Sequence, residues 1–185
     1  TYIGVFIIMF GVISSGMVAV MSQNIGAGRP GIAYQARQLG LLFNASTGIL
    51  MSVILAFCSG RILKVVSIAP ALLEPAETYL KIVGGACFLN ALIPIFSSYL
   101  RVFGYTKHSL IGTIVGNAVN IIFNSVFLFV FKWGVMGVAV ATVISKVVNL
   151  IIVAAMGAVL IKAKQSPERI QPRKILAQIV KIGFP

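Results

Sequence analysis

The chain has 185 residues and a formal net charge of +12, yet only 10% of its residues are charged, 59% are hydrophobic, and the mean hydropathy is +1.04. A soluble domain carries about 25% charged residues, so this chain lacks the polar surface that water on all sides requires. That excludes a soluble globular domain. The excess of basic residues does not indicate nucleic acid binding, because the charges are confined to short stretches between long apolar runs.

Five apolar runs follow in chain order. Thr1–Gly28, Gln38–Gly60, Ile82–Leu100 and Ser109–Phe131 contain no charged residue, and Trp133–Ile161 is broken only by Lys146. Each is roughly 19 residues or longer, enough for a helix to cross about 30 Å of hydrocarbon. Their Gly and β-branched content is tolerated in membrane helices. The ten-residue alternation of a membrane β-barrel is absent. The expected fold class is therefore an all-α integral membrane bundle, polytopic, with about five transmembrane helices plus the start of a sixth over 175–185.

The charges set an orientation. Arg29, Arg37, Arg101, Lys107, Lys162, Lys164, Arg169, Arg173 and Lys174 fall on one side of such a bundle, and Arg61, Lys64, Lys81 and Lys132 on the other, diluted by Glu74 and Glu77. The positive-inside rule makes the first side cytoplasmic. Cys58 and Cys87 fall in or at the ends of spans and read as small buried hydrophobes rather than a disulfide. The chain begins at Thr1 already in apolar sequence and ends on a short apolar stretch, which reads as an internal fragment of a longer protein.

Enzyme chemistry has little to work with. The acids are Glu74, Glu77 and Glu168, all expected in loops, and the only histidine, His108, is expected at a cytoplasmic helix start. No HExxH, Cys–His cluster, GxSxG or phosphate-binding loop is present. The reading is a non-enzyme that carries no cofactor.

Polar residues inside the spans carry more information. In the fourth run Thr113, Asn117, Asn120 and Asn124 fall within roughly 60° of one helix face, and in the fifth Thr142, Ser145, Lys146 and Asn149 fall within about 100°. Asn90, Pro94, Ser97, Ser98 and Arg101 share a face of the third, and Pro94 is expected to break that helix. Amides and ammonium groups are costly in hydrocarbon, so these faces should meet other helices or water. The short connection around Lys132–Gly137 makes the fourth and fifth spans antiparallel neighbours. Counting out from it matches Asn124 with Thr142, Asn120 with Ser145 and Lys146, and Asn117 with Asn149. The two stripes are expected to face one cavity on a solute or ion pathway.

Five segments in order carry a family resemblance: Ser22-Gln23-Asn24-Ile25-Gly26-Ala27-Gly28-Arg29-Pro30, Leu100-Arg101-Val102-Phe103-Gly104-Tyr105-Thr106-Lys107, Asn120-Ile121-Ile122-Phe123-Asn124, Gly137-Val138-Ala139-Val140-Ala141-Thr142, and the closing Lys181-Ile182-Gly183-Phe184-Pro185. Together they resemble the multidrug and toxic compound extrusion (MATE) family. The resemblance implies a twelve-helix, two-lobe transporter of the plasma membrane that exchanges drug-like, mostly cationic organic solutes for protons or sodium ions. Residues 1–161 then correspond to helices two to six of the N-terminal lobe, 162–174 to the cytoplasmic linker between lobes, and 175–185 to the start of helix seven. The implied partners are the organic solute, membrane lipid, and the first helix and C-terminal lobe of the parent chain.

By the same resemblance, Asn120, Asn124 and Thr142 match an N-lobe cation site, with Asn124 standing where some members have Asp. That departure removes a titratable group from the coupling site. With Asn117 and Lys146 from the same faces, these residues form the candidate cation- and substrate-binding set. From its place on that face, Lys146 is expected either to point into the lobe, toward amide oxygens of the fourth span or a carboxylate of the absent first helix, setting the cavity's potential and its preference for cationic cargo, or to reach cytoplasmic headgroups through a bent helix. The alternatives are a lipid-linked oligosaccharide flippase of the same superfamily, whose cavity should be distinctly cationic, and a non-transporting membrane scaffold.

Overall fold

The computed structural model describes residues 15–65, 70–161 and 172–183, and every regular element among them is helical. Helix α1 covers 15–26, α2 Pro30–Val65, α3 Pro70–Gly85, α4 Cys87–Val102, α5 Thr106–Ser125, α6 Gly134–Leu160 and α7 Pro172–Gly183; a π-helical turn, Val126–Val130, extends α5. Helix α2, α5 with its π-turn, and α6 are each long and apolar enough to cross a membrane, and the bent pair of α3 and α4 is long and apolar enough only when taken together as one span. The first half of the first apolar run lies outside the described residues, as do Glu168 and most of the 162–174 stretch. The outward faces are apolar, with Phe57, Leu42 and Ile121 exposed, as expected where the solvent is lipid.

Two of the glycine motifs act as stops. Gly28 adopts φ +72° and Gly104 φ +85°, the left-handed conformation that ends a helix cheaply only at glycine. At each, the two terminal carbonyls are claimed in the same way. Arg29 N–H donates to Asn24 O (2.8 Å) and Gly28 N–H to Ile25 O (3.0 Å); Tyr105 N–H donates to Leu100 O (2.9 Å) and Gly104 N–H to Arg101 O (3.0 Å). Pro30 then opens α2, where its missing N–H costs nothing. Both stops lie at the basic end of the bundle. There Met17, Met21, Ile32, Ile95, Tyr99, Leu100, Val153 and Ile161 form the main apolar core, joined by Ile175 and Ile179 of α7. The Arg37 guanidinium is held at that end between the rings of Tyr34 (4.8 Å) and Tyr99 (4.6 Å), a cation–π arrangement.

Three features differ from the sequence reading. Glu74 and Glu77 are not in a loop: both sit inside α3, as does Lys81, and Glu77 pairs with Lys81 at 2.8 Å one turn away. The thirty-six residues of α2 extend about 54 Å, longer than the hydrocarbon thickness, and α3 packs along it, so these charged residues belong to a paired helix rather than a loop. Second, the bend in the third apolar run is 42° at Ala86, between α3 and α4, and α4 runs through Pro94. The bend frees backbone donors at the start of α4, and one of them, Phe88 N–H, is taken by Ser52 Oγ of α2 at 2.9 Å. A neighbouring helix thus caps the break, which local sequence does not announce. Third, α7 starts at Pro172, inside the stretch read as linker.

Helix α2 runs antiparallel to the α3–α4 pair along its length. Gly60 lies against Glu77, Gly84 against Leu55, and Gly48 against Phe88 and Ala91; Asn44 Nδ2 donates to Ala91 O at 3.3 Å. Helices α5 and α6 form the other extensive seam, with α6 also packed on α3 and α4. At the end opposite the core, Phe127 stacks on Trp133 at 5.0 Å, with Phe123 and Phe131 beside them. Such aromatic clusters are typical at a membrane interface.

The charge asymmetry predicts that this aromatic end, with position 74, faces the exterior. In a cysteine-free background, single cysteines at positions 28 and 104 should label with a membrane-impermeant maleimide only from the cytoplasmic side, and one at 74 only from outside. Labelling of 74 from the cytoplasm alone would invert the topology.

Candidate functional site

A pocket of about 390 Å³ opens between α4, α5 and α6. Asn90, Ile93 and Pro94 of α4 form one wall, Gly116, Asn117 and Asn120 of α5 a second, and Thr142, Ser145, Lys146 and Asn149 of α6 the third. It is lined mainly by polar side chains, within a bundle whose outer surface is apolar.

The seam between α5 and α6 determines which groups reach it. A Cβ on Gly116 would stand 3.0 Å from Asn149 Cβ and 3.2 Å from the Ser145 carbonyl oxygen. The absence of a side chain there lets the two polar stripes approach. What results is a directional chain of hydrogen bonds. Asn124 Nδ2 donates to Asn120 Oδ1 (2.9 Å), Asn120 Nδ2 to Ser145 Oγ (3.4 Å), Ser145 Oγ to Thr142 O (2.8 Å), and Thr142 Oγ1 to Val138 O (2.8 Å). Each hydroxyl and each bonded amide nitrogen has one acceptor, so the chain fixes the orientation of both asparagines.

Of the expected site residues, Asn117, Asn120, Thr142 and Lys146 line the pocket. Asn124 does not. It lies behind Asn120 and holds it, and its own Oδ1 is buried without a protein partner. The Asn120–Ser145 bond is the pairing that counting out from the short connection predicts. Lys146 lines the pocket, but no hydrogen bond joins its ammonium to the amide oxygens of α5 among the described residues. Thr113 turns away and donates to Ser109 O within its own helix (3.4 Å).

The polar face of α4 divides. Asn90 and Pro94 enter the pocket, whereas Ser98 is tied to Arg101 at 3.1 Å toward the basic end. Ile93 and Gly116 are lining residues that no polar signal marks. Cys87 and Cys58 are free, half-buried thiols. Among the described residues no group of three or more His, Cys, Asp or Glu could hold a metal ion.

Comparison with known proteins places this arrangement. The chain is 31% identical to the uncharacterized transporter YisQ of Bacillus subtilis (strain 168), over 99% of its own length and 42% of that protein. Its fold superposes on the outward-facing conformation of a multidrug resistance MATE family transporter of the MOP superfamily with a TM-score of 0.84, at 19% identity, covering 98% of this chain and 42% of that one. A MOP superfamily transporter from Pyrococcus furiosus, described as having a binding pocket of reverse polarity that suggests a different function, aligns with a TM-score of 0.78 at 20% identity, over 98% of this chain and 41% of that one. The chain thus spans about two-fifths of the length of these relatives. Residues 1–126 match the model of the MatE family, and this multi-pass helical membrane protein belongs to that family.

Proposed function

We propose that the chain forms the N-terminal lobe of a secondary active antiporter that exports organic solutes across the plasma membrane in exchange for protons or sodium ions, and that the pocket between α4, α5 and α6 is a solute- or ion-binding surface of that lobe. In this reading residues 1–161 supply helices two to six, the stretch from 162 to the start of α7 at Pro172 the linker, and α7 the start of the next helix. One observation carries it: amides, hydroxyls and a lysine from three helices converge on a single open pocket in a bundle whose outside is apolar. Interhelical hydrogen bonds alone would leave such groups sealed in pairs; here Asn117 and Lys146 face open space.

The flippase reading requires a strongly cationic cavity to hold a pyrophosphate. The lining here has one cation, Lys146, which favours the antiporter. The test is reconstitution of the full-length parent protein in proteoliposomes. Imposing a proton or sodium gradient should drive movement of a dye such as fluorescein or ethidium, and collapsing the gradient should stop it. If no member of a broad panel of organic anions and cations moves in response to either gradient, the antiporter reading fails.

A further inference from the structure

Lys146 sits near the middle of α6, in the wall of the pocket, and no ion pair or hydrogen bond to its ammonium exists among the described residues. The acids of the chain are few, and among the described residues none pairs with Lys146. Of its three, Glu77 is paired with Lys81 in α3, Glu74 lies one turn earlier in the same helix, and Glu168 lies outside the described residues; there is no aspartate. The rest of the lining is neutral. Asn117 is exposed in the pocket with no protein partner for its amide among the described residues, and Asn120 lies one turn along the same face.

The pocket therefore offers one positive charge flanked by amide donors, in surroundings of low dielectric where an unanswered charge is costly and an opposite charge is strongly attracted. A cationic solute would add a like charge beside Lys146. A carboxylate would neutralise it and take amide N–H donors with its remaining lone pairs.

We infer that the solute this pocket takes is an organic anion, bound through a carboxylate to Lys146 with the Asn117 amide beside it. This rests on reading the pocket as a solute site and reverses the cationic preference that the family resemblance implies.

The experiment separates the two. The full-length parent is purified in detergent, and binding of fluorescein and of ethidium is measured by fluorescence anisotropy for the native protein, Lys146→Met and Lys146→Arg. The native protein should bind fluorescein roughly tenfold or more tightly than ethidium. Lys146→Met should weaken fluorescein binding about tenfold to a hundredfold, the loss expected for a charge-assisted contact, without weakening ethidium. Lys146→Arg should keep the preference for fluorescein. The native-protein comparison stands even if the Met variant does not fold. Tighter binding of ethidium by the native protein overturns the inference, and is the result expected if a carboxylate elsewhere in the parent already pairs with Lys146. Failure of fluorescein to bind, or binding unchanged in Lys146→Met, also overturns it. Proteoliposome flux is scored separately. Fluorescein that binds through Lys146 but is not moved by any gradient refutes the antiporter and leaves the charge preference standing, whereas ethidium export unaffected by Lys146→Met does the reverse.

Discussion

Gly116→Leu in the full-length parent should lower the melting temperature and reduce transport close to background. The α5–α6 seam has no room for a side chain at this position. Even the first carbon would stand 3.0 Å from Asn149 Cβ and 3.2 Å from the Ser145 carbonyl oxygen, and the latter belongs to the α6 backbone, which cannot rotate away. Overpacking of this kind costs about 1–3 kcal/mol. The loss would not be confined to stability. The Asn120–Ser145 bond is already 3.4 Å long, so a small separation of the helices breaks it and detaches the α5 wall of the pocket from the α6 wall. Gly116→Ala should fall between Leu and the native protein. Gly26→Ala is the control, because a Cβ there meets nothing within 4 Å. Thermal unfolding in detergent, followed by size-exclusion of the heated sample, gives the first readout and proteoliposome flux the second. A Gly116→Leu protein that melts with the native one would show that the seam is looser than described.

The second large effect is expected at Asn120. It both lines the pocket and joins the two stripes, accepting from Asn124 and donating to Ser145. Asn120→Ala should reduce transport about tenfold while leaving protein level near normal, since each interhelical hydrogen bond lost in a membrane costs only about 1 kcal/mol of stability. Asn124→Ala should be milder, because Asn124 acts through Asn120 and does not reach the pocket. Asn124→Asp is a sharper probe. An ionised aspartate cannot donate to Asn120 Oδ1, so the Asn120 amide must turn to donate to it and gives up its bond to Ser145. When protonated, the acid can donate as asparagine does. Transport by this variant should therefore rise as pH falls through the carboxyl pKa, relative to the native protein. Initial rates across a pH series at constant gradient measure this. Normal flux in both alanine variants would remove these residues from the site.

Much of this protein follows from its sequence because lipid is a demanding solvent. Backbone groups must be satisfied within each segment, so an uncharged run such as Ser109–Phe131 has a helix as its answer, and α5 with its π-turn spans Thr106–Val130. The 100° advance per residue puts Asn117, Asn120 and Asn124 on one face, and a connection near Lys132 forces α5 and α6 to be antiparallel neighbours, so their register could be counted. Gly28 and Gly104 stop their helices for a local reason, a left-handed backbone that only glycine adopts without cost, although the sequence reading used them only as parts of the family motifs.

What the tertiary structure decided was depth, rotation and which neighbour answers each polar group. Pro94 is the local signal for a break, yet the bend falls at Ala86, where Ser52, thirty-six residues away in the chain, accepts the freed Phe88 N–H. Glu74 and Glu77 suggested a loop, but α2 is long enough to give α3 a helical neighbour along its length. Asn120 and Asn124 share a face by periodicity; the packed structure makes one a lining residue and the other its support. Asn90 joins them because α4 crosses α6 at that depth. Helical period is a property of one chain segment, whereas the meeting of three helices depends on contacts between residues far apart in sequence, and no local pattern encodes those distances.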